Sequence, residues 1–162
     1  MQTHISIIGA GSWGTSLAQI LDDNGHTTLL WTSYEKDVAL INQCHINPSY
    51  LKEKQLAETI TATDNLQEAV EKAEYLVFAV PSHALIEMVQ KIQPFYTNQP
   101  IILATKGLYP SSDFLFTSQV KRILQAEKVS ILSGPSHAEE VIQRMPACVT
   151  IASQYIETAK EI

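Results

Sequence analysis

The sequence predicts an α/β fold built on a doubly wound, mostly parallel sheet. Short apolar segments with strand character alternate with amphipathic segments of helical spacing along the chain. The segment 75–80 is continuously apolar, as expected of a central parallel strand that is buried on both faces. At 162 residues the chain is long enough to bury a substantial core, and residues 1–162 are predicted to form one domain.

The first half of the chain contains four predicted strands and the helices between them. The first strand, 5–8, leads through a glycine-rich turn into a helix that ends at Asn24-Gly25. The next three strands are predicted at 28–31, 59–63 and 75–80, with a helix at 35–42. The segment 45–58 is polar and irregular, which is typical of a surface loop. Asp64 is predicted to cap the helix that follows the third strand.

The second half of the chain repeats this alternation. Apolar residues at helical spacing predict a helix from about Ser82 to Pro94. Three more strands are predicted, at 101–105, 129–132 and 148–152, and three more helices, at 114–126, 138–142 and 155–162. Doubly wound sheets bind ligands beyond the carboxyl ends of their strands. The residues that follow each strand are therefore the candidate site residues.

The turn after the first strand carries a glycine pattern that predicts a dinucleotide site. Gly9-Ala10-Gly11-Ser12-Trp13-Gly14 stands between a strand and a helix. In such a turn Gly9 permits the tight bend, Gly11 lets a pyrophosphate approach the backbone, and Gly14 lets the helix pack closely on the strand. The helix N-terminus adds unpaired N–H groups and the positive end of its dipole. The alternative is a tight structural turn without a ligand.

The composition argues against several classes of partner. A formal net charge of −6 disfavours non-specific binding of nucleic acid or of an anionic membrane surface. No apolar run approaches the ~20 residues of a membrane span, and the first strand begins too close to Met1 for a targeting segment. Cys44 and Cys148 form no C-x-x-C pair, and no metal site is predicted. We expect a cytoplasmic protein with reduced thiols that acts on a small molecule.

The end of the second strand bears on the choice between NAD and NADP. An NAD site usually has an acidic residue about 20 residues after the glycine turn, where it accepts a hydrogen bond from the ribose 2′-hydroxyl. Here that position is Thr32-Ser33-Tyr34, and the first carboxylate is that of Glu35. Hydroxyl groups tolerate a 2′-phosphate that an aspartate would repel, although Lys36 is the nearest cation. NADP is therefore favoured, with use of both dinucleotides as the alternative.

Lys106 follows the fifth strand and is a candidate substrate-binding residue. Its ammonium could hold an anionic or carbonyl-bearing substrate beside the nicotinamide, with Gly107 allowing close approach of the backbone. The alternative is a solvated surface lysine. After the fourth strand, Pro81-Ser82-His83 is interpreted as a strand stop followed by a helix cap, and no role is assigned to His83.

The sixth strand is followed by a turn that could also face a substrate. Glycine and proline fix the turn in Ser133-Gly134-Pro135-Ser136, and the Ser136 hydroxyl could bond to a substrate hydroxyl. The spacing from Ser136 to Glu139 is that of a capping box, so Ser136 could instead cap the next helix. The two roles are compatible, and His137 is left without a role.

Four blocks of the sequence carry a family resemblance. They are Gly9-Ala10-Gly11-Ser12-Trp13-Gly14-Thr15, Ala79-Val80-Pro81-Ser82-His83, Ala104-Thr105-Lys106-Gly107-Leu108 and Ser133-Gly134-Pro135-Ser136-His137-Ala138-Glu139-Glu140. In their residues, order and spacing, these blocks resemble the bacterial NAD(P)-dependent glycerol-3-phosphate dehydrogenases over the whole chain. The resemblance implies a Rossmann-like fold and cofactor contacts from Ser12, Trp13, Lys106 and Ala138. For glycerol 3-phosphate it implies contacts from Lys106, Gly134 and Ser136.

Two positions depart from the family's pattern. The family usually has His or Arg where this chain has Ser33, which bears on recognition of a 2′-phosphate. Tyr50-Leu51 matches the family's Tyr-Leu-Pro, but Lys52 replaces the proline. Ser33, Tyr34 and Tyr50 are kept as candidate cofactor contacts.

The resemblance also implies a reaction and a second domain. The reaction is reversible hydride transfer between the nicotinamide C4 and C2 of dihydroxyacetone phosphate, which gives sn-glycerol 3-phosphate, the glycerol backbone of phospholipids. The family's general acid/base lysine lies in a helical second domain that this sequence does not contain, so no catalytic residue is expected here. A homodimer is kept as an option. The alternatives are a related β-hydroxyacid or 6-phosphogluconate-type dehydrogenase, and a non-catalytic dinucleotide-binding module.

Overall fold

The computed structural model describes residues 2–52, 54–107 and 115–162. Within these ranges the chain forms a seven-stranded sheet in the order β3-β2-β1-β4-β5-β6-β7. The strands are β1 His4–Ile8, β2 Thr27–Trp31, β3 Thr61–Thr63, β4 Tyr75–Phe78, β5 Ile101–Leu103, β6 Val129–Ser133 and β7 Thr150–Ser153. The first six run parallel to their neighbours, and β7 is antiparallel to β6. The predicted doubly wound, mostly parallel sheet is confirmed.

Helices cover both faces of this sheet. They are α1 Ser12–Asp23, α2 Glu35–Cys44, α3 Pro48–Leu51, α4 Leu66–Glu71, α5 Ser82–Ile92, α6 Phe116–Leu124, α7 Ala138–Val141 and α8 Ile156–Glu161, with a 3-10 turn at Gln93–Phe95. Successive strand residues point to opposite faces of the sheet, so the strands contribute side chains to two apolar cores, one on each face. Phe78 packs with the apolar residues of α4, α5 and α6, whereas Val77 packs with those of α1 and α2.

The centre of the sheet is the point where the winding reverses. β1 pairs with β2 on one side and with β4 on the other, so that Ile8 is in register with both Trp31 and Phe78. The helices that follow β1 and β4 lie on opposite faces. The carboxyl ends of β1 and β4 therefore border a crevice, which is where open parallel sheets bind their ligands.

Three predicted helix caps are wrong by one residue. The cap of α4 is Asn65, whose side chain accepts from the Glu68 N–H at 3.1 Å, and not Asp64. Pro81 is the N-cap of α5, which places Ser82 inside the helix. His137 is the N-cap of α7, so Ser136 forms no capping box. Asp64 and Asn65 offer similar chemistry, and the backbone path decides which of them meets the free N–H groups. Pro81 and His137 are caps by backbone position alone, without a side-chain hydrogen bond to the helix.

The segment predicted as a surface loop, 45–58, is partly ordered into regular structure. Its described residues include α3 and an antiparallel bridge between Ile46 and Gln55. Leu51 and Leu56 are buried and contribute to the core beneath α1 and α2. Elsewhere the predicted helix 114–126 is observed as α6. Residue 114, like Leu108 of the third sequence block, lies outside the described residues.

Candidate functional site

The glycine turn after β1 is held tightly against the end of β4. Gly9 has φ +115°, and a side chain there would begin 3.0 Å from the Ala79 carbonyl carbon and oxygen. A side chain at Gly14 would overlap the Gly9 carbonyl oxygen. Gly9 is therefore required by its φ, which L residues rarely adopt, and by its close contact with Ala79, whereas Gly14 is required because no space exists for a Cβ atom.

Gly11 differs from the other two glycines because the space beside it is open. A Cβ atom at Gly11 would meet no atom of the described residues within 4 Å, and the φ of Gly11, −71°, suits any residue. Gly11 is the N-cap of α1 and has no side chain to accept from the first turn. Thr15 is the first residue whose N–H bonds back to Gly11, at 3.0 Å. The N–H groups before Thr15 have no intrahelical acceptor and suit an anion such as a pyrophosphate.

The end of β5 is joined to the glycine turn through Trp13. The Trp13 indole N–H donates to the Ala104 carbonyl at 3.1 Å. The Lys106 ammonium lies over the same indole ring, 4.7 Å from its centre, and also donates to the Ser136 carbonyl. Lys106 is exposed to solvent. The structure thus brings together three of the predicted site residues.

The turn after β6 is fixed by its backbone. Gly134 has φ +140°, and a Cβ atom there would lie 2.5 Å from the Cys148 carbonyl oxygen. The Ser136 side chain is buried, with its hydroxyl 3.5 Å from the Gly134 carbonyl, so it does not face the crevice in this structure. The Ala138 carbonyl accepts from the Ser16 hydroxyl of α1 at 2.9 Å.

A second contact ties α1 to the chain after β6. The Arg144 guanidinium donates to both carboxylate oxygens of Asp23, each at 2.8 Å. This guanidinium lowers the pKa of the Asp23 carboxyl below its usual value. With the bond from Ser16 to Ala138, it links both ends of α1 to the segment 136–144.

The end of β2 presents exposed hydroxyl and aromatic groups. Ser33 is exposed, and 62% of Tyr34 is accessible to solvent. The Thr32 hydroxyl is turned back to accept from the Tyr34 N–H at 3.3 Å. Tyr50 is 44% exposed and belongs to α3, which contacts α2 where Ser49 donates to Asp37 at 3.2 Å. Asp37 is buried under this contact, so its carboxylate does not present an acidic group to a ligand.

Asn47 is a site residue that the sequence analysis missed. It is fully buried, and its amide Nδ2 donates to the Ala10 carbonyl of the glycine turn at 2.8 Å. The signal was an Asn followed directly by Pro48, since an Asn cap with Pro at the first helical position is typical of a helix start. The polar composition of 45–58 favoured a surface loop instead, so this helix start was not predicted.

The described residues also bear on the other predicted features. Cys44 and Cys148 are free, exposed thiols. Among these residues no three His, Cys, Asp or Glu side chains come together in a way that could hold a metal ion. Likewise, no helix in the described ranges is long and apolar enough to cross a membrane. His83 and His137 are both exposed.

A separate apolar groove lies on the α1 face of the sheet. It encloses about 550 Å³, and its lining includes Leu17, Leu21, Ile102, Val149 and Ile151. Trp13 borders this groove, but Gly9 and Gly11 do not line it. The groove is therefore distinct from the open space beside the glycine turn.

Comparisons with known proteins agree on one family. Residues 4–159 match the family model described as NAD-dependent glycerol-3-phosphate dehydrogenase N-terminus. The chain is 38% identical over 162 residues to a glycerol-3-phosphate dehydrogenase [NAD(P)+] of Lysinibacillus sphaericus, covering 98% of this chain and 48% of the relative. A relative of the same name in Bacillus velezensis is 36% identical, with 98% and 47% covered.

A solved structure gives the same result. The crystal structure of glycerol-3-phosphate dehydrogenase from Coxiella burnetii superposes with a TM-score of 0.90 at 32% identity. The match covers 99% of this chain and 49% of that one, so the chain spans about half the length of the relatives it matches. The glycine turn, the order of the sheet and these matches together show the family. The chain belongs to the NAD-dependent glycerol-3-phosphate dehydrogenase family and corresponds to its N-terminal part.

Proposed function

We propose that this chain is the cofactor-binding part of an NAD(P)-dependent glycerol-3-phosphate dehydrogenase. The enzyme would interconvert dihydroxyacetone phosphate and sn-glycerol 3-phosphate in the cytoplasm and so supply the backbone of phospholipids. The observation that carries the proposal is the open space beside Gly11, at the first turn of α1 and at the point where the sheet reverses its winding. A phosphate needs such a place, because bare N–H groups and a helix dipole meet there.

The residues around this opening fit a dinucleotide. Gly9 and Gly14 shape the turn, and Gly11 leaves room for the pyrophosphate beside the N–H groups of Ser12 and Trp13. Further contacts are proposed for Lys106 and Ala138, and at the adenosine end for Ser33, Tyr34 and Tyr50. When bound, the nicotinamide accepts or supplies the hydride. We expect NADP to bind at least as tightly as NAD, because residues 32–34 carry no carboxylate to repel a 2′-phosphate.

Lys106, Gly134 and Ser136 are proposed to hold the substrate. An ammonium carries three N–H donors, and one of those of Lys106 bonds to the Ser136 carbonyl, which leaves others for a ligand. Its charge would orient the substrate carbonyl and stabilise the negative charge that develops on the carbonyl oxygen. The Ser136 hydroxyl is buried, so its part in this site requires either a rotation or a contact through its backbone.

No residue of this chain is proposed as the catalytic acid or base. The family resemblance places that lysine in a helical second domain, beyond the part of the family that this chain matches. A group that moves the proton must lie within hydrogen-bond reach of the reacting oxygen. Lys106 is proposed to bind and orient the substrate, because the resemblance assigns the proton to the lysine of the second domain. A homodimer is kept as a candidate assembly.

Calorimetric titration of the chain with NADPH and NADH tests the proposed cofactor site, and an activity assay of a full-length protein that contains it tests the reaction. We expect saturable binding of at least one dinucleotide. In the full-length protein, Lys106→Met should lower the turnover of dihydroxyacetone phosphate while a dinucleotide still binds. A chain that binds neither dinucleotide would contradict the cofactor site. A full-length protein that reduces a β-hydroxyacid precursor instead would contradict the assigned substrate.

A further inference from the structure

Asn47 makes a buried connection to the glycine turn. Its side chain is 0% exposed, and its amide Nδ2 donates to the Ala10 carbonyl at 2.8 Å and to the Thr15 hydroxyl oxygen at 2.9 Å. The Thr15 hydroxyl in turn donates to the same Ala10 carbonyl, at 3.3 Å. Two donors, one from the N-cap residue of α3 and one from α1, therefore hold a single carbonyl of the turn.

This carbonyl belongs to the peptide that ends in the Gly11 N–H. The Ala10–Gly11 peptide bond is trans. In a planar trans peptide the C=O and N–H groups point in opposite directions. Because Asn47 and Thr15 hold the carbonyl toward the interior, the N–H of Gly11 points away from these two side chains. A Cβ atom at Gly11 would meet no atom of the described residues within 4 Å, so the space beside this residue is open.

We propose that Asn47 is a positioning residue that aims the Gly11 N–H at the pyrophosphate of the dinucleotide. The inference rests on the proposed cofactor site, and it adds a residue that itself touches no ligand. The chemistry requires a donor, because a backbone carbonyl can only accept, and the Asn47 amide supplies one. An aspartate of the same shape would place a carboxylate against the carbonyl oxygen.

The other half of the Asn47 amide supports a role beyond stability. Its Oδ1 atom is buried and has no hydrogen-bond partner among the described residues. A buried polar atom without a partner destabilises a fold, whereas an apolar residue of similar size would not. Residues that break a local rule in this way are expected at functional sites.

Two variants and one matched control test the proposal. Asn47→Ala removes the first donor, Thr15→Val removes the second donor together with one acceptor of the Asn47 amide, and Asn42→Ala is the control. Asn42 also donates its amide to a backbone carbonyl, that of Ala62 at 2.9 Å, but it supports β3 and not the turn. Each protein is titrated with NADPH by calorimetry and with adenosine, which lacks the phosphates, by NMR. The NADPH-induced shift of the Gly11 amide resonance is followed in the same samples.

We expect Asn47→Ala to weaken NADPH binding on the order of tenfold, the effect of misdirecting one charge-assisted hydrogen bond. Adenosine binding should change by less than about twofold, and the shift of the Gly11 amide should shrink. Thr15→Val should act in the same direction with a smaller effect. Asn42→Ala should lower the melting temperature and leave both affinities within about twofold.

The outcomes separate this inference from the proposed function. Equal losses for NADPH and adenosine, or equal effects of the variants at 47 and 42, would show a purely structural role and overturn it. Unchanged NADPH binding in both Asn47→Ala and Thr15→Val would overturn it as well. A wild-type chain that binds no dinucleotide would instead contradict the proposed cofactor site itself. Should Asn47→Ala fail to fold, Thr15→Val decides by the same criteria.

Discussion

The Lys106 ammonium lies 4.7 Å from the centre of the Trp13 ring, and the indole N–H of Trp13 donates to the Ala104 carbonyl. The first turn of α1 and the residues after β5 are therefore in direct contact, although 91 positions separate Trp13 from Ala104. A cation over an aromatic face is attracted by the ring quadrupole. Lys106 is thus held at the mouth of the crevice before any ligand arrives.

A double-mutant cycle tests this contact. We expect Trp13→Leu and Lys106→Met to be coupled by roughly 0.5–1 kcal/mol in the free energy of unfolding, the range for an exposed cation–π pair. Urea denaturation of the wild type, both single variants and the double variant supplies the four values. Strictly additive effects would show that the two side chains do not interact in solution.

The Gly11→Val variant tests the glycine turn. The valine methyl groups would fill the open space where the pyrophosphate is proposed to lie, and the φ of Gly11 suits valine. We expect no measurable dinucleotide binding by calorimetry, with a circular dichroism spectrum like that of the wild type. The loss of stability should be on the order of 1 kcal/mol, since β-branched residues are poor helix caps.

Gly14→Ala is the matched control for that variant. Its methyl group would overlap the Gly9 carbonyl, so we expect a stability loss of roughly 1–3 kcal/mol from overpacking. The two variants should therefore differ: Gly11→Val loses dinucleotide binding, whereas the main effect of Gly14→Ala is a loss of stability. Undiminished dinucleotide affinity in Gly11→Val would show that no ligand approaches the turn there.

The sequence predicted the fold because its strongest signals are local. Each buried strand is a short apolar run, and the glycine pattern lies where a strand meets a helix. The alternation of strand and helix segments was therefore enough to predict the sheet and its crevice. The positions of Lys106 and Gly134 at strand ends followed from the same rule. The hydrogen bond from the Lys106 ammonium to the Ser136 carbonyl was not predicted, because it joins segments that are far apart in the chain.

What the sequence did not indicate depends on contacts between distant segments. Asn47 acquires its role from a hydrogen bond to Ala10, 37 positions away, and its polar neighbours suggest a loop. The hydroxyl of Ser136 was expected to face a ligand or cap a helix, but the path of the turn buries it. Neither periodicity nor spacing contains this information.

Cofactor choice can be tested at Ser33. An aspartate at this exposed position would repel a 2′-phosphate and offer an acceptor to a 2′-hydroxyl. We expect Ser33→Asp to shift the preference toward NADH by about 1–3 kcal/mol, the scale of an unpaired charged partner. Ser33→Asn is the neutral control of equal size, and calorimetry with both dinucleotides gives the ratio. A wild type that strongly prefers NADH would contradict the interpretation of residues 32–34.

The 162-residue chain by itself is expected to bind dinucleotide without turning over substrate. Its proposed substrate contacts offer only one cation, and the proposed acid/base lies outside this part of the family. Rate enhancement by proximity requires both reactants to be held together. Steady oxidation of NADPH by dihydroxyacetone phosphate with the purified chain would contradict this. In that case Lys106 and His83 would be the first candidates for the proton-transferring group.

Acid should weaken the link between α1 and the chain after β6. Arg144 lowers the pKa of Asp23 relative to the unfolded chain, so this pair stabilises the fold above the unfolded pKa and ceases to do so as the pH falls through the folded one. Because 66% of the Arg144 side chain is exposed, solvent screens the pair and its contribution to stability should be small. Asp23→Asn should remove this part of the acid sensitivity below about pH 5, measured by urea denaturation at a series of pH values. An unchanged profile in this variant would show that the pair contributes nothing.

Gly134 and Gly11 would behave differently in a library of random substitutions. At Gly134 a Cβ atom would lie 2.5 Å from the Cys148 carbonyl oxygen and φ is +140°, so replacements should lower the stability of the fold whatever they do to activity. Loss of function on substitution of Gly134 would therefore be caused by the backbone and would give no information about the substrate. At Gly11 the protein leaves the space free, so a screen for folded protein should accept replacements that a screen for growth rejects. The difference between the two screens would locate the ligand without a bound structure.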